Sequence, residues 1–190
     1  DEAHDLFKLP DFITQMMENK WLGSKSGQGF YKKEGKIIRV LDLNTLEYRD
    51  KKRSKFATLE LTKSIDNVID RFRILVDGKD KAGEFYRKNF AGMFAYVSNR
   101  IPEISEELFK IDDAMKAGFG WEHGPFQIWD AVGLEKGLAL IKAEGLTAAQ
   151  WVFDMVASGN NSFYTIENGA TFAFDISTKK QLKIPGQEAL

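Results

Sequence analysis

The sequence predicts a mainly α-helical chain to which two short β-hairpins are appended. Apolar residues recur at i, i+3 and i+4 over most of the chain, and each run ends near a glycine or a proline. Strand-like residues are confined to two stretches, each of which follows a turn rich in glycine or serine. The composition, 43% hydrophobic and 29% charged, is sufficient for a buried core and argues against disorder.

The predicted helices follow one another with short connections. The first spans residues 12–21 and is expected to end at Gly23, where a C′ glycine would stop it. The last begins near Thr147 and Gln150, which have the spacing of a capping box. Those between them are predicted over residues 65–75, 85–97, 108–115, 126–132 and 138–141, with Pro125 at a first helical position and stops at Gly78, Pro102, Gly118, Gly133 and Gly145.

The two strand-like stretches look like copies of each other. They cover residues 30–48 and 163–184, and each is predicted to form a hairpin. A shift of 133 residues, from Phe30 to Phe163, superposes five identical pairs without a gap, which indicates an internal duplication. The pairs are Phe30 and Phe163, Tyr31 and Tyr164, Glu34 and Glu167, Asp42 and Asp175, and Thr45 and Thr178.

The duplication predicts the domain organisation. Residues 1–50 are expected to be the tail of a first unit, residues 51–57 a polar linker, and residues 58–190 a complete second unit. Because neither end looks natural, we expect a piece of a longer polypeptide; a processed mature protein is the alternative. A tail this small cannot cover its own apolar side chains, so we expect the helices of the second unit to pack on it. Those side chains are Phe12, Met16, Met17, Trp21, Phe30 and Tyr31.

Charge and composition exclude several classes of function. A formal net charge of -1 provides no field that would recruit nucleic acid, and the basic run at residues 49–55 is interpreted as a solvated linker. No apolar run approaches the ~20 residues that a bilayer crossing needs. The chain has no cysteine, which excludes disulfides, thiol catalysis and cysteine metal sites, and it fits a cytoplasmic location.

The motifs that could hold a catalytic, cofactor or metal site favour structural interpretations. The glycine-rich loop from Gly23 to Gly29 runs from a helix to a strand, so no helix N-terminus faces a phosphate there, and it lacks the spacing of a dinucleotide site. His4 lies near the start of the chain. Glu122 is adjacent to His123, but neighbours in sequence rarely face each other, so His123 is expected to be a structural or surface residue rather than catalytic. Asp112 and Asp113 are expected to be solvated or capping acids rather than metal ligands. We therefore predict no catalytic, cofactor-binding or metal-binding residue.

One block of the chain, residues 115–133, has a denser pattern. Three glycines and Pro125 fall within ten residues between large aromatic residues, which predicts a tight corner between two helices. Four aromatic side chains are expected to fill the space around it. They are Phe119, Trp121, Phe126 and Trp129.

This block resembles the C-terminal domain of 3-hydroxyacyl-CoA dehydrogenases. The matching positions are Ile111-Asp112-Asp113-Ala114-Met115, Gly118-Phe119-Gly120, Gly124-Pro125-Phe126-Gln127, Asp130 and Gly133, with Gln127 in place of the usual Glu. Residues 22–31 are similar to the motif that closes the same domain, and they precede the block. That order is typical of family members with two tandem C-terminal domains, often fused to an enoyl-CoA hydratase.

The resemblance implies a fold and a function. The fold is that of the helical 3-hydroxyacyl-CoA dehydrogenase C-terminal domain, which is similar to the C-terminal domain of 6-phosphogluconate dehydrogenase. The intact protein is expected to oxidise (3S)-hydroxyacyl-CoA with NAD in fatty-acid β-oxidation. The family's catalytic His–Glu pair, assisting Ser and NAD fingerprint belong to a Rossmann domain, and its assisting Asn to the first C-terminal domain. All of these would precede Asp1, and Asn89 is out of register for the Asn.

The fragment alone is therefore expected to be inactive and to bind no cofactor. The resemblance assigns its helices to packing, to pairing of the two copies and to one wall of the acyl-CoA cleft. The expected partners are acyl-CoA, the Rossmann domain and the first C-terminal domain, with a second copy as a further candidate and with no nucleic acid and no membrane. A non-catalytic helical interaction module is the alternative. The corner residues expected to have a structural or a cleft-lining role are Phe119, Gly120, Gly124, Pro125, Phe126 and Asp130.

Overall fold

A computed structural model describes residues 7–186, which form two compact units. Unit 1 comprises residues 7–54 and unit 2 residues 55–186. His4, one of the two histidines considered above, lies outside the described residues.

Unit 1 consists of one helix followed by a small antiparallel sheet. Helix α1 spans Asp11–Glu18 and leads through a 3₁₀ turn, Ser24–Ser26, into the sheet. The strands, in the order β1-β2-β3, are β1 (Tyr31–Glu34), β2 (Ile37–Leu41) and β3 (Tyr48–Arg49). Met16 of the helix and Leu41 of the sheet are the buried hydrophobic side chains of this unit among the described residues.

Unit 2 consists of a series of helices followed by a second small antiparallel sheet. The helices are α2 (Ala57–Thr62), α3 (Val68–Asp77), α4 (Lys81–Asn99), α5 (Leu108–Phe119), α6 (Pro125–Val132), α7 (Leu134–Ala143) and α8 (Gln150–Ala157). The strands, in the order β4-β5-β6, are β4 (Tyr164–Glu167), β5 (Ala170–Asp175) and β6 (Lys180–Lys183).

Stacked aromatic rings form the centre of the unit 2 core. Phe94 of α4 lies parallel to Trp129 of α6, with ring centroids 4.7 Å apart, and both side chains are fully buried. The ring of Phe163, just before β4, also packs on Trp129, with ring centroids 5.1 Å apart. Helix α7 approaches so closely that a Cβ on Gly137 would lie 2.0 Å from Nε1 of Trp129. The close approach therefore requires glycine at this position.

The start of α8 differs from the prediction. The helix begins at Gln150 after an Ala149 N-cap that makes no side-chain cap, so the capping box expected from Thr147 and Gln150 is wrong. Ser98 of α4 performs that role, because its hydroxyl accepts a hydrogen bond from the Ala149 amide at 3.1 Å. The Ser98 carbonyl also accepts from Nε1 of Trp151 at 2.9 Å. A partner that is distant in sequence thus supplies the cap.

Two helix ends were also predicted wrongly. Helix α1 ends at Glu18, and Lys20, with φ of 59°, adopts the left-handed conformation that the sequence assigned to Gly23. Helix α5 continues through Gly118 and is capped by Gly120, with φ of 67°. In both cases the predicted glycine lies near the helix end but is not the residue at which the helix stops. The hydrogen-bonded turn that follows the helix determines that residue.

The predicted hairpins are three-stranded sheets. The turns before Phe30 and Phe163 do lead into strands, as expected, but a third strand adds to each pair. Strands β3 and β6 are short and largely polar, Tyr48–Arg49 and Lys180–Lys183, and so lack the alternation that predicts a strand.

The internal hydrogen bonds of the two sheets are equivalent, which supports the duplication. Leu41 donates its amide to the Phe30 carbonyl at 2.9 Å, and Phe174 donates to Phe163 at 2.8 Å. The strand registers also correspond at a shift of 133 residues, since Tyr31 faces Val40 and Tyr164 faces Ala173. Each pair of equivalent strands therefore has the same register.

The preceding helices correspond at a different shift. Helices α1 and α8 each contain eight residues and are related by 139 positions, so that Met16 is equivalent to Met155, and both are buried. Trp21 donates its amide to the Met16 carbonyl at 2.8 Å, and Asn160 donates to Met155 at 3.1 Å. The connection in unit 1 is six residues longer, and this extra length holds the glycine-rich loop.

The apolar side chains of the first unit differ in exposure. Met16 is buried, whereas Met17 is 55% exposed, Phe30 47% and Tyr31 60%. That the helices of the second unit pack on these side chains stays a prediction.

Candidate functional site

Asp112 of α5 is the centre of the corner that the sequence singled out. Its side chain is 1% exposed, and it accepts hydrogen bonds from the amides of Phe126 at 2.9 Å and Gln127 at 3.0 Å. These are amides of the first turn of α6, which have no partner within their own helix. Of the two roles expected for Asp112, capping and solvated, the structure shows the capping role. Asp113 does face solvent, in an ion pair with Lys116 at 2.7 Å.

The glycine before α6 makes this cap possible. Gly124 is the N-cap residue and has no side chain to offer, and a Cβ at this position would lie 2.3 Å from both Cβ and Cγ of Asp112. The contact therefore requires glycine. Gln127 completes the cap, since its side-chain oxygen accepts from the Gly124 amide at 3.0 Å. An amide oxygen at this position makes the same bond as the usual carboxylate of the motif.

Asp130 at the other end of α6 holds the start of the second sheet. Its two carboxylate oxygens accept hydrogen bonds from the amides of Phe163 at 2.8 Å and Tyr164 at 2.9 Å. The carboxylate therefore pairs two backbone donors at the start of the sheet.

Tyr164 joins the two aspartates into one cluster. Its hydroxyl donates to Asp112 at 2.8 Å, while its backbone amide donates to Asp130. Burial raises the pKa of Asp112 to about 6 and the pKa of Asp130 to about 7. Burial, followed by the charge of Asp112, raises the pKa of the Tyr164 hydroxyl. The cluster links α5, α6 and β4 through hydrogen bonds among one buried and two half-buried residues, an arrangement that fixes geometry.

The structure brings most of the predicted corner residues together. Gly124, Pro125, Phe126 and Asp130 all belong to α6 or its cap, and the Phe126 ring is fully buried against Phe163 at 5.0 Å. Gly120 ends α5, as described above.

Phe119 is the exception within that set. It is 73% exposed at the end of α5, so the prediction that it fills the corner is wrong. Trp121, expected to fill the same space, is 37% exposed. Both follow the last full turn of α5, where the chain turns away from the buried face at Gly120.

Sequence reasoning missed Tyr164 as a member of the cluster and underrated Asp112. A signal for Asp112 was present, because it lies four residues after Leu108 and thus on the buried face of α5. No comparable signal marks Tyr164, whose partner is 52 residues away.

An apolar groove lies between α4 and α5 beside this corner. The groove has a volume of about 490 Å³, and Pro125 and Trp121 are among the residues that line it. The apolar walls come from Met93, Tyr96, Val97, Ile111, Ala114 and Met115. Two cationic side chains also line it: Arg100, whose guanidinium lies 5.1 Å from the Tyr96 ring centroid, and Lys110. They are paired with Glu103 and Glu107 respectively. Its shape and polarity suit a flexible apolar chain.

The remaining candidate residues make local contacts. The hydroxyl of Ser26 accepts from the Leu22 amide at 2.9 Å and donates to the Gly23 carbonyl at 3.0 Å, so the loop is held by its own bonds. His123 lies 3.7 Å from the Glu122 carboxylate, closer than neighbours in sequence were expected to be. Within residues 7–186, no group of histidine and acidic side chains could hold a metal ion. No helix among them is long and apolar enough to cross a membrane.

The corner lies within a stretch of the chain that matches a known protein family. Residues 93–164, from the second half of α4 to the start of β4, match the sequence model of the 3-hydroxyacyl-CoA dehydrogenase C-terminal domain. These residues are thus similar to that domain. The match confirms the resemblance stated from the sequence and includes Asp112, Gly124, Asp130 and Tyr164. The buried cluster is thus part of the family domain.

Curated relatives extend the likeness to nearly the whole chain. A Bacillus subtilis protein named as a 3-hydroxyacyl-CoA dehydrogenase is 37% identical over 182 residues, 96% of this chain and 23% of the relative. A Rickettsia felis protein named as a fatty acid oxidation complex trifunctional enzyme is 24% identical over 67% of this chain and 17% of its own length. The chain therefore spans less than a quarter of these relatives. No solved structure matches it.

Proposed function

We propose that this chain is a C-terminal part of an NAD-dependent (3S)-3-hydroxyacyl-CoA dehydrogenase of fatty-acid β-oxidation. In this proposal a Rossmann domain elsewhere in the polypeptide binds NAD and holds the catalytic His–Glu pair. The present chain supplies one wall of the acyl-CoA cleft and pairs its two C-terminal domain copies. The proposal includes the fold of the 6-phosphogluconate dehydrogenase C-terminal domain and a cytoplasmic location.

The groove between α4 and α5 is the observation that supports this role most directly. Its walls are almost entirely apolar, and an acyl chain buried there gains about 0.8 kcal/mol for each methylene removed from water. Arg100 and Lys110 are the cationic residues of the lining. Coenzyme A carries phosphates, and cationic side chains beside an apolar groove match a ligand with an apolar tail and an anionic head.

The buried cluster positions this wall. Asp112 and Ile111 are neighbours on α5, and Ile111 faces the groove while Asp112 holds the first turn of α6. Pro125 belongs to that first turn and lines the groove. Movement of α6 away from Asp112 would therefore displace part of the groove wall. In the proposed enzyme the corner residues are thus positioning residues and touch no reacting atom.

The described residues hold no group suited to the chemical step. The oxidation needs a general base and a bound dinucleotide. His123 faces Glu122 at the surface, and the loop of Gly23 runs into a strand instead of a helix. We therefore assign the base and the NAD site to parts of the polypeptide outside this chain, and propose that the chain alone is inactive.

Two alanines of α5 provide a matched test. Ala114 and Ala117 are both exposed, but only Ala114 lines the groove. In the complete polypeptide, Ala114→Trp should fill the groove and raise KM for a long-chain 3-hydroxyacyl-CoA by at least about tenfold, with a smaller effect on kcat. Ala117→Trp should leave both constants within about twofold. Equal effects of the two substitutions would refute the cleft role.

The alternative is a helical interaction module without enzymatic activity. The exposure of Phe119 and Trp121 beside the groove favours it, because exposed aromatic residues are typical of binding surfaces. A complete polypeptide that has no dehydrogenase activity, and whose Phe119→Ser variant loses a protein partner, would support this alternative instead.

A further inference from the structure

The face of unit 1 around Phe30 lacks neighbours that its equivalent in unit 2 possesses. Phe163 is fully buried, with the rings of Phe126 at 5.0 Å, Trp129 at 5.1 Å and Trp151 at 5.9 Å. Phe30 occupies the same place relative to its own sheet, yet it is 47% exposed. The difference between the two copies therefore lies in what covers this ring.

One of the three neighbouring rings is retained in unit 1. Phe12 of α1 is equivalent to Trp151 of α8 at the shift of 139 residues that relates the helices. Phe12 contacts Phe30 edge to face at 6.4 Å and 69°, and Trp151 contacts Phe163 in the same way at 5.9 Å and 67°. The ring pair between helix and sheet is thus common to both copies.

The two other rings both come from α6, which has no equivalent in unit 1. Helix α6 also supplies Asp130, whose carboxylate bonds the amides of Phe163 and Tyr164. Among the described residues, no side-chain carboxylate accepts from the amides of Phe30 and Tyr31. Unit 1 thus presents an exposed ring and two adjacent amides in the arrangement that α6 covers in unit 2.

We propose that this face is the docking site for a helix with the chemistry of α6. That helix places aromatic side chains on Phe30, and an aspartate near its C-terminal end accepts from the amides of Phe30 and Tyr31. The occupant is a segment of the longer polypeptide to which the chain is proposed to belong, so this inference rests on the proposed function. The Bacillus subtilis relative has room for such a segment, because the chain spans only 23% of its length.

A second copy of this chain is a weaker occupant. Its own α6 is already engaged, since Phe126 and Trp129 are fully buried and Asp130 is bonded to Phe163 and Tyr164. To dock on another molecule this helix would have to leave its own sheet, which would expose that core.

Amide hydrogen exchange, measured on the 190-residue chain and on the complete polypeptide, tests the proposal. In the chain alone, Phe30 and Tyr31 should exchange at least about tenfold faster than Phe163 and Tyr164. In the complete polypeptide the two pairs should exchange at similar rates. Asp130→Asn in the chain should accelerate Phe163 and Tyr164 but not Phe30 and Tyr31; if that variant does not fold, the two wild-type samples suffice.

Three results would overturn the proposal. Fast exchange of Phe30 and Tyr31 in the complete polypeptide would show that no helix covers them. Slow exchange in the chain alone would show that no further segment is needed. Protection that rises with the concentration of the chain would identify a second copy as the occupant. Dehydrogenase activity of the complete polypeptide is measured separately, so loss of docking and failure of the proposed function are distinguishable.

Discussion

The hydroxyl of Tyr164 donates a hydrogen bond to the carboxylate of Asp112 at 2.8 Å, across 52 residues of sequence. Asp112 accepts in addition from two amides of α6, so one buried side chain joins the helical corner to the second sheet. This bond lies inside the region that matches the family domain. Within that region it ties the helical corner to the start of the second sheet.

Replacement of Asp112 should destabilise the protein strongly. Asp112→Asn keeps the shape but turns one acceptor oxygen into a donor that faces an amide or the Tyr164 hydroxyl. We expect a loss of about 2–4 kcal/mol in the free energy of unfolding, because a buried bond is broken and its partner is left unpaired. Urea denaturation measures it. The exposed neighbour provides the control, and Asp113→Asn should change stability by less than about 0.5 kcal/mol. Equal stabilities of the two variants would disprove the capping role.

The two buried aspartates predict a dependence of stability on pH. Their pKa values are raised from the ordinary 3.8 to about 6 for Asp112 and about 7 for Asp130. The folded state therefore binds these protons more tightly than the unfolded state. This contribution is complete below the unfolded pKa and is lost as pH rises through the folded pKa.

The chain should consequently be less stable at about pH 8 than at about pH 5, by about 1–3 kcal/mol from these groups. Asp130→Asn should remove most of the difference in stability between the two pH values. This holds even if the substitution changes the stability at each pH. Urea denaturation at both values measures the slope. A wild-type slope that is unchanged in the variant would mean that Asp130 is not its source.

A pair of helical glycines tests the packing of the core. A methyl group at Gly137 would meet Nε1 of Trp129 at 2.0 Å, whereas nothing lies within 4 Å of a methyl group at Gly92. Gly137→Ala should therefore lower the free energy of unfolding by about 1–3 kcal/mol through overpacking. Gly92→Ala should raise it by up to about 1 kcal/mol, because alanine is the better helix former. The same sign for both substitutions would contradict the described contact between α6 and α7.

Calorimetry tests the proposed pairing of the two copies. Trp21 packs on Tyr48 within unit 1, with ring centroids 5.8 Å apart. If the copies are energetically coupled, Trp21→Ala should lower the melting temperature of the whole chain in a single transition. Two separate transitions, of which only one moves in the variant, would show that the units unfold independently.

Particular residues show how far the sequence could predict this structure. Most helices, the turns before Phe30 and Phe163 and the corner at Gly124-Pro125 follow local rules of spacing and punctuation, and the sequence predicts them. Helix α2 was not predicted. The Ser98 cap of α8 and the Tyr164 bond to Asp112 join residues about 50 positions apart, which no local pattern encodes. Lys20, and not Gly23, adopts the left-handed conformation after α1. The hydrogen-bonded turn that follows the helix, and not the nearest glycine, determines where the helix ends.

The most direct test compares dehydrogenase activity in the complete polypeptide and in the 190-residue chain. Each is given NAD and a (3S)-3-hydroxyacyl-CoA, and NADH formation is followed by absorbance. The account predicts turnover by the complete polypeptide, and neither turnover nor calorimetric NAD binding by the chain alone. Hydride transfer by the chain alone, or an inactive but folded complete polypeptide, would contradict it.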